Sequence, residues 1–212
     1  MTSTVLDSIR TWLAPLNEKI SNHPYISDAE QGTLSFDKVK AFVTNQYYII
    51  KHDARSLALM VSRSKTRKEL EFFQSVLEGD SQAIGCIINM AKAFGMESTD
   101  LDNYSPIPKA VAYAHYLTAL AHFASPGEQT VALVVNLPVW GSNCRRRSTA
   151  LRDQYNITET SFLDLFAQPS EELESIAQSI LNDYQQEEGR MRRVARLIQA
   201  YELMFWNGIY DL

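Results

Sequence analysis

One carboxylate, Glu202, stands inside the run AYELMFWNGIY, flanked by Leu203, Phe205 and Trp206. A carboxylate among aromatic rings is costly to desolvate, so it must be paired, protonated or turned toward a wet pocket. The last two states suit proton transfer, which makes Glu202 the candidate catalytic group. A second candidate set lies in AVAYAHYLTALAHF, where Tyr113, His115, Tyr116 and His122 interrupt an Ala/Leu surface. A third is the run NQYYIIKHDARSLALM, residues 45–60, which packs Asn, Gln, two Tyr, Lys, His, Asp and Arg into an otherwise apolar segment. At 100° per residue, Val43, Tyr47, Ile50, Ala54 and Leu57 share one helical face, while Asn45, Tyr48, His52 and Ser56 share another. A polar stripe on a central helix either bonds to neighbouring helices or lines a cavity.

Metal and cofactor chemistry find little purchase. The four histidines are His23, His52, His115 and His122, and none follows a glutamate at the Glu-x-x-His spacing of a carboxylate-bridged di-iron bundle. Gly-rich phosphate loops, HExxH and GxSxG are lacking too. The reading therefore assigns no metal and no cofactor. Cys86 and Cys144 have neither CxxC nor Cys/His spacing, so no disulfide is expected and a reducing compartment, the cytoplasm, fits.

Helices must position these groups. Only 8 Gly and 7 Pro punctuate 212 residues, and apolar positions recur at three and four rather than two. The patterning predicts a helix from Val5 to Ser21 bent at Pro15, and a second capped by Ser35 and running to about Ser62. A third starts at Thr66 and ends near Glu78-Gly79, and a fourth, capped by Asp80 or Ser81, reaches about Phe94. The 14-residue stretch GMESTDLDNYSPIP is the longest polar connection, a length at which loops are often functional. Beyond it come a helix from Pro108 through Phe123 and one capped by Ser125 and kinked at Pro138. Short helices follow near Glu159–Phe166 and Ser170–Glu187, and Gly189 breaks or dents the final run. No linker divides the chain, so residues 1–212 read as one domain.

With 45% hydrophobic and 21% charged residues the chain has the balance of a globular protein. A net charge of −5 argues against nucleic acid as a partner. No stretch approaches the ~20 apolar residues of a membrane span. The run Arg145-Arg146-Arg147 points three ways around a helix and reads as solvated surface, with docking of an anionic ligand or subunit as the alternative.

These residues together resemble the TenA/PqqC group, which has a haem-oxygenase-like all-helical fold. HPYISDAEQGTLSFDKVKAFVTNQYYIIKHDARSLALM is similar to the opening stretch of those proteins, AYAHYL to an Ala-Tyr-Thr-x-Tyr-Leu helix, and YELMFWNGIY to their closing Tyr-Glu-x-x-Phe-Trp. The resemblance implies an all-α bundle of about seven to eight helices around a central pocket, and a homodimer or homotetramer. In thiaminase-type TenA proteins an aspartate holds an aminopyrimidine, a cysteine attacks it and a C-terminal glutamate moves protons. By the resemblance Tyr113 matches the pocket tyrosine, Glu202 the glutamate and Gln46 the aspartate position. The cysteine position falls on Pro138 or Val139, and Cys144, six residues past Pro138, lies about 240° around an ideal helix.

Taken together, the expected site consists of Glu202 as acid/base with Gln46, Tyr47, Tyr113, Trp140 and His52 lining a pocket for a small planar, nitrogen-containing ligand. The expected activity is acid/base chemistry related to thiamin-pyrimidine salvage. A non-catalytic binding or regulatory protein on the same fold, or a cofactor-independent oxidase of PqqC type, are the alternatives.

Overall fold

The computed structural model describes residues 4–212, which form twelve α-helical segments and one 3-10 turn. No strand occurs among the described residues. The first expected helix is two: α1 (Val5–Trp12), opened by a capping box between Thr4 and Asp7, and α2 (Ala14–Ser21). Pro15 in the first turn of α2 lacks a donor and would clash with the preceding turn, so the break falls at Leu13 instead of a bend. A short α3 (Pro24–Glu30) follows.

The two longest helices form the frame. Helix α4 (Phe36–Arg63) is capped by Ser35, whose hydroxyl accepts from the Lys38 amide, and its 28 residues span about 42 Å. Helix α5 (Arg67–Ala93) starts at a Thr66/Glu69 capping box after a short turn, so the pair forms an antiparallel hairpin. It is one helix, not two. Gly79 and Asp80 lie in its interior, and packing along α4 outweighs the weak helix propensity of glycine.

The long polar connection holds a short helix, α6 (Ser98–Asn103). Helix α7 (Pro108–Phe123) starts at its expected proline and packs on α4 and on the last helix. Helix α8 (Pro126–Val134) carries the Ser125/Glu128 capping box. Pro138 then interrupts the chain more strongly than a kink would, and α9 (Leu137–Tyr155) begins as a separate helix with the proline in its first turn. It ends at Asn156, which adopts the left-handed conformation that asparagine tolerates better than most residues. Helices α10 (Ser161–Ala167), α11 (Glu171–Asp183) and α12 (Glu188–Tyr210) complete the chain, with Gly189 inside the first turn of α12. The added segments raise the count above the expected seven to eight without changing the class.

The core has two halves. One gathers Phe42, Phe162, Phe205 and Trp206, the other Leu57, Phe72, Leu117 and Ile198. Tyr113 packs against both, at the seam where α4, α7 and α12 meet.

Candidate active site

Helix α12 delivers the acid and its first partner together, because residues four apart are neighbours on a helix. Trp206 donates its indole N–H to Glu202 Oε1 at 2.7 Å, and the Asn136 side-chain amide bonds the same carboxyl. Glu202 is 8% exposed and has no ion-pair partner among the described residues. Burial raises its pKa to about 7, and the bonds from Trp206 and Asn136 offset only part of that rise. A group titrating near neutrality can both give and accept a proton.

Aromatic rings surround its partner Trp206. Trp206 lies 5.9 Å from Trp140, 6.0 Å from Phe42 and 5.0 Å from Phe205, centroid to centroid. Tyr113 is enclosed by protein, and burial together with the charges of Asp53, Asp80 and Glu202 holds its hydroxyl well above the usual range. Its side chain nevertheless keeps some accessible surface.

Asp53 and Asp80 are the residues that sequence reasoning missed. Both are buried, one on α4 and the other on α5. Desolvation lifts both, Asp80 to about 7, and the neighbouring Asp80 charge raises Asp53 further. Asp53 Oδ1 has no hydrogen-bond partner among the described residues. Tyr113 therefore sits within the field of three carboxyl groups.

The expected residues divide into two places. Glu202 lies near enough to Tyr113 to raise its hydroxyl, and Trp206, the partner of Glu202, packs 5.9 Å from Trp140, centroid to centroid. Gln46 is buried on the face of α4 that carries Asp53, since seven residues make nearly two full turns. Tyr47 and His52 go elsewhere. They line a separate cavity between α4 and α6, because one residue is a 100° step and six are 600°, which turns both away from Gln46. The Arg145–Arg147 run also differs from the expected solvated surface. Arg146 forms a two-pronged pair with Glu30, whereas Arg147 is buried at 1% exposure, its guanidinium 3.6 Å from the centroid of the Phe42 ring. Helix α9 packs its inward stripe against α3 and α10, so one of three adjacent arginines must point in.

A family model described as the TENA/THI-4/PQQC family matches residues 11–212. The chain belongs to the TENA/THI-4/PQQC family. Among solved structures, a TenA homologue from Pyrococcus furiosus is 19% identical, with 97% of this chain and all of that one covered and a TM-score of 0.80. A domain from Shewanella denitrificans with a haem-oxygenase-like fold is 16% identical over 97% of this chain and 92% of that one, at a TM-score of 0.81. A TenA-like protein from Sulfolobus solfataricus is 14% identical over 97% and 95%, at 0.69. The fold is the haem-oxygenase-like one. No curated protein sequence matches the chain.

Within this TENA/THI-4/PQQC protein, Pro138 and Val139 carry no nucleophile. Cys144 stands about 240° around α9 from Pro138, as the count from that residue gives, yet its side chain is in the core. It lies one turn beyond Trp140 on the same face of α9 and is buried at 1% exposure. Desolvation holds its thiol well above the usual range, with Glu202 adding to the rise and Arg147 opposing it. A thiol so held is a poor nucleophile, since reactivity belongs to the thiolate. Among the described residues no three His, Cys, Asp or Glu side chains are grouped to hold a metal ion, and no helix is long and apolar enough to cross a membrane.

Proposed function

We propose that this TENA/THI-4/PQQC protein binds a small planar nitrogen heterocycle beside Glu202 and carries out acid/base chemistry on it, related to thiamin-pyrimidine salvage. The observation that carries the reading is Glu202, a buried carboxyl without a cation among the described residues, titrating near 7 and held by Trp206 in an aromatic wall. In this reading Glu202 moves the proton, Trp140 and Tyr113 hold the ring, and Gln46 supplies an uncharged donor and acceptor to a ring nitrogen. Asp53 and Asp80 favour a ligand rich in N–H groups. The protein acts as a cytoplasmic homodimer or homotetramer, which sedimentation measures directly.

The test is a thermal-shift series with aminopyrimidines against carbocyclic rings of the same size, followed by turnover assays on the binders. A ligand at 100 times its dissociation constant adds about 2.7 kcal/mol to the native state. Aminopyrimidines should stabilise the protein, and Glu202→Gln should keep binding while losing turnover. Stabilisation by carbocycles alone, or unchanged turnover in the Glu202→Gln variant, removes Glu202 from the role.

A further inference from the structure

We propose that the cavity between α4 and α6 is a second binding site, separate from the one proposed beside Glu202, for a single-ring molecule bearing one anionic group. The cavity has a volume of about 210 Å³, below the ~300–1,000 Å³ of drug-sized sites, which limits the occupant to about one ring and its substituent.

Its wall is built, not incidental. The chain between α6 and α7 is pinned to α4 by Asn45, whose amide donates to the Tyr104 hydroxyl at 3.2 Å and accepts from the Ile107 amide at 2.9 Å. Tyr47 donates to Asp102 at 2.9 Å, and Lys51 bonds both Asp102 at 2.8 Å and the Tyr47 hydroxyl at 3.1 Å. These bonds explain Asn45, Tyr47 and Lys51 as fasteners of the long connection. They do not account for Tyr48, His52 or Arg55.

Those three residues supply recognition. The Tyr48 and His52 rings stack at 4.0 Å and 22°, making a flat platform, and the Tyr48 hydroxyl is anchored on His115 Nε2 at 3.1 Å. His52 Nδ1 lies 2.9 Å from the Tyr48 carbonyl oxygen, which can only accept, so Nδ1 carries a proton and Nε2 is left for a ligand. Among the described residues Asp102 is the only carboxylate lining the cavity, and Lys51 neutralises it. Arg55, one helical turn past Lys51, then remains as a charge with no partner among the described residues. The chain as a whole is at −5, so a cationic cavity is not a by-product of general basicity. A guanidinium beside a flat ring stack suits a phosphate or carboxylate attached to a ring.

The full chain is titrated by calorimetry with phenyl phosphate, benzoate, inorganic phosphate and benzylamine. Saturation at one site per chain by phenyl phosphate or benzoate supports the proposal, the tighter of the two naming the anion. Inorganic phosphate should bind more weakly for want of a ring, and benzylamine not at all. Arg55 is exposed, so Arg55→Ala should keep the fold and weaken binding about tenfold, or about 1.4 kcal/mol. Glu202→Gln should leave this binding unchanged, which separates it from the site proposed beside Glu202. Absence of saturation by either anion, equal binding by Arg55→Ala, or loss of binding in Glu202→Gln overturns it.

Discussion

Trp206 hands its indole N–H to Glu202 across one turn of α12, at 2.7 Å, and the bond orients the carboxyl without supplying the charge that would keep it ionised. Burial therefore dominates, and the folded pKa of about 7 exceeds the ordinary 4.5. Between those values the native state binds more protons than the unfolded chain, so stability falls as pH rises through the window. The full cost applies above about pH 7, at about 1.4 kcal/mol per pKa unit. Glu202→Gln keeps an oxygen for Trp206 and removes the ionisation. It should melt higher than the parent at pH 8 and converge with it near pH 4.5, as a calorimetric pH series would record.

Asp53 and Asp80 impose a second penalty of the same sign, because both carboxyls are raised by burial and Asp80 repels Asp53 when both ionise. Asp53→Asn and Asp80→Asn should each raise stability at pH 8. The Asp53 change should gain less when Asp80→Asn is already present, since the repulsion has then gone. Urea unfolding of the parent, the two single variants and the double variant at pH 8 gives the coupling, expected at about 0.5–3 kcal/mol for groups in one cluster. Full additivity would mean that the two carboxyls do not share a field.

Helix α5 shows why the boundaries were harder to read than the class. Gly79 followed by Asp80 and Ser81 has the look of a stop and a new cap, yet the helix runs through. Its register is set by packing on α4, which local sequence does not reveal. Gly85 lies exposed in the same interior, and a Cβ there would meet nothing within 4 Å. Gly85→Ala should therefore stabilise the protein by about 0.5–1 kcal/mol. Gly141→Ala is the contrast, since its Cβ would lie 2.8 Å from the Phe166 carbonyl oxygen, and a loss of about 1–3 kcal/mol is expected. Thermal denaturation of both variants checks the pair.

Buried polar groups were legible where they stood out against their surroundings. Glu202 and Tyr113 are conspicuous in apolar helices, and the structure buries Glu202 within the electrostatic reach of Tyr113, which packs at the seam of the core. Asp80 was hidden by its resemblance to a cap. Tyr47 and His52 line the cavity beside α6 and not the surroundings of Glu202: α4 is buried around most of its circumference, so periodicity does not distinguish the polar stripe that faces the core from the one that faces α6. Burial of Arg147 was equally out of reach, because three identical neighbours give no clue to which one turns inward.

Arg147 is a buried cation. Its Nε, Nη1 and Nη2 have no hydrogen-bond partner among the described residues, and the guanidinium rests 3.6 Å from the centroid of the Phe42 ring and 5.2 Å from that of Tyr25. A desolvated cation over a ring gains about 2 kcal/mol, whereas removing the charge from water costs several. The balance is unfavourable, and burial accordingly lowers the pKa of Arg147. Arg147→Met keeps the length of the stem and the contact with Phe42 while removing the charge. It should raise stability by about 1–4 kcal/mol in urea unfolding, as replacement of other buried charges by apolar residues does. Arg147→Lys, which retains the charge but loses the flat stack, should fall below the parent. A destabilised Arg147→Met variant would show that ring contacts outweigh desolvation at this position.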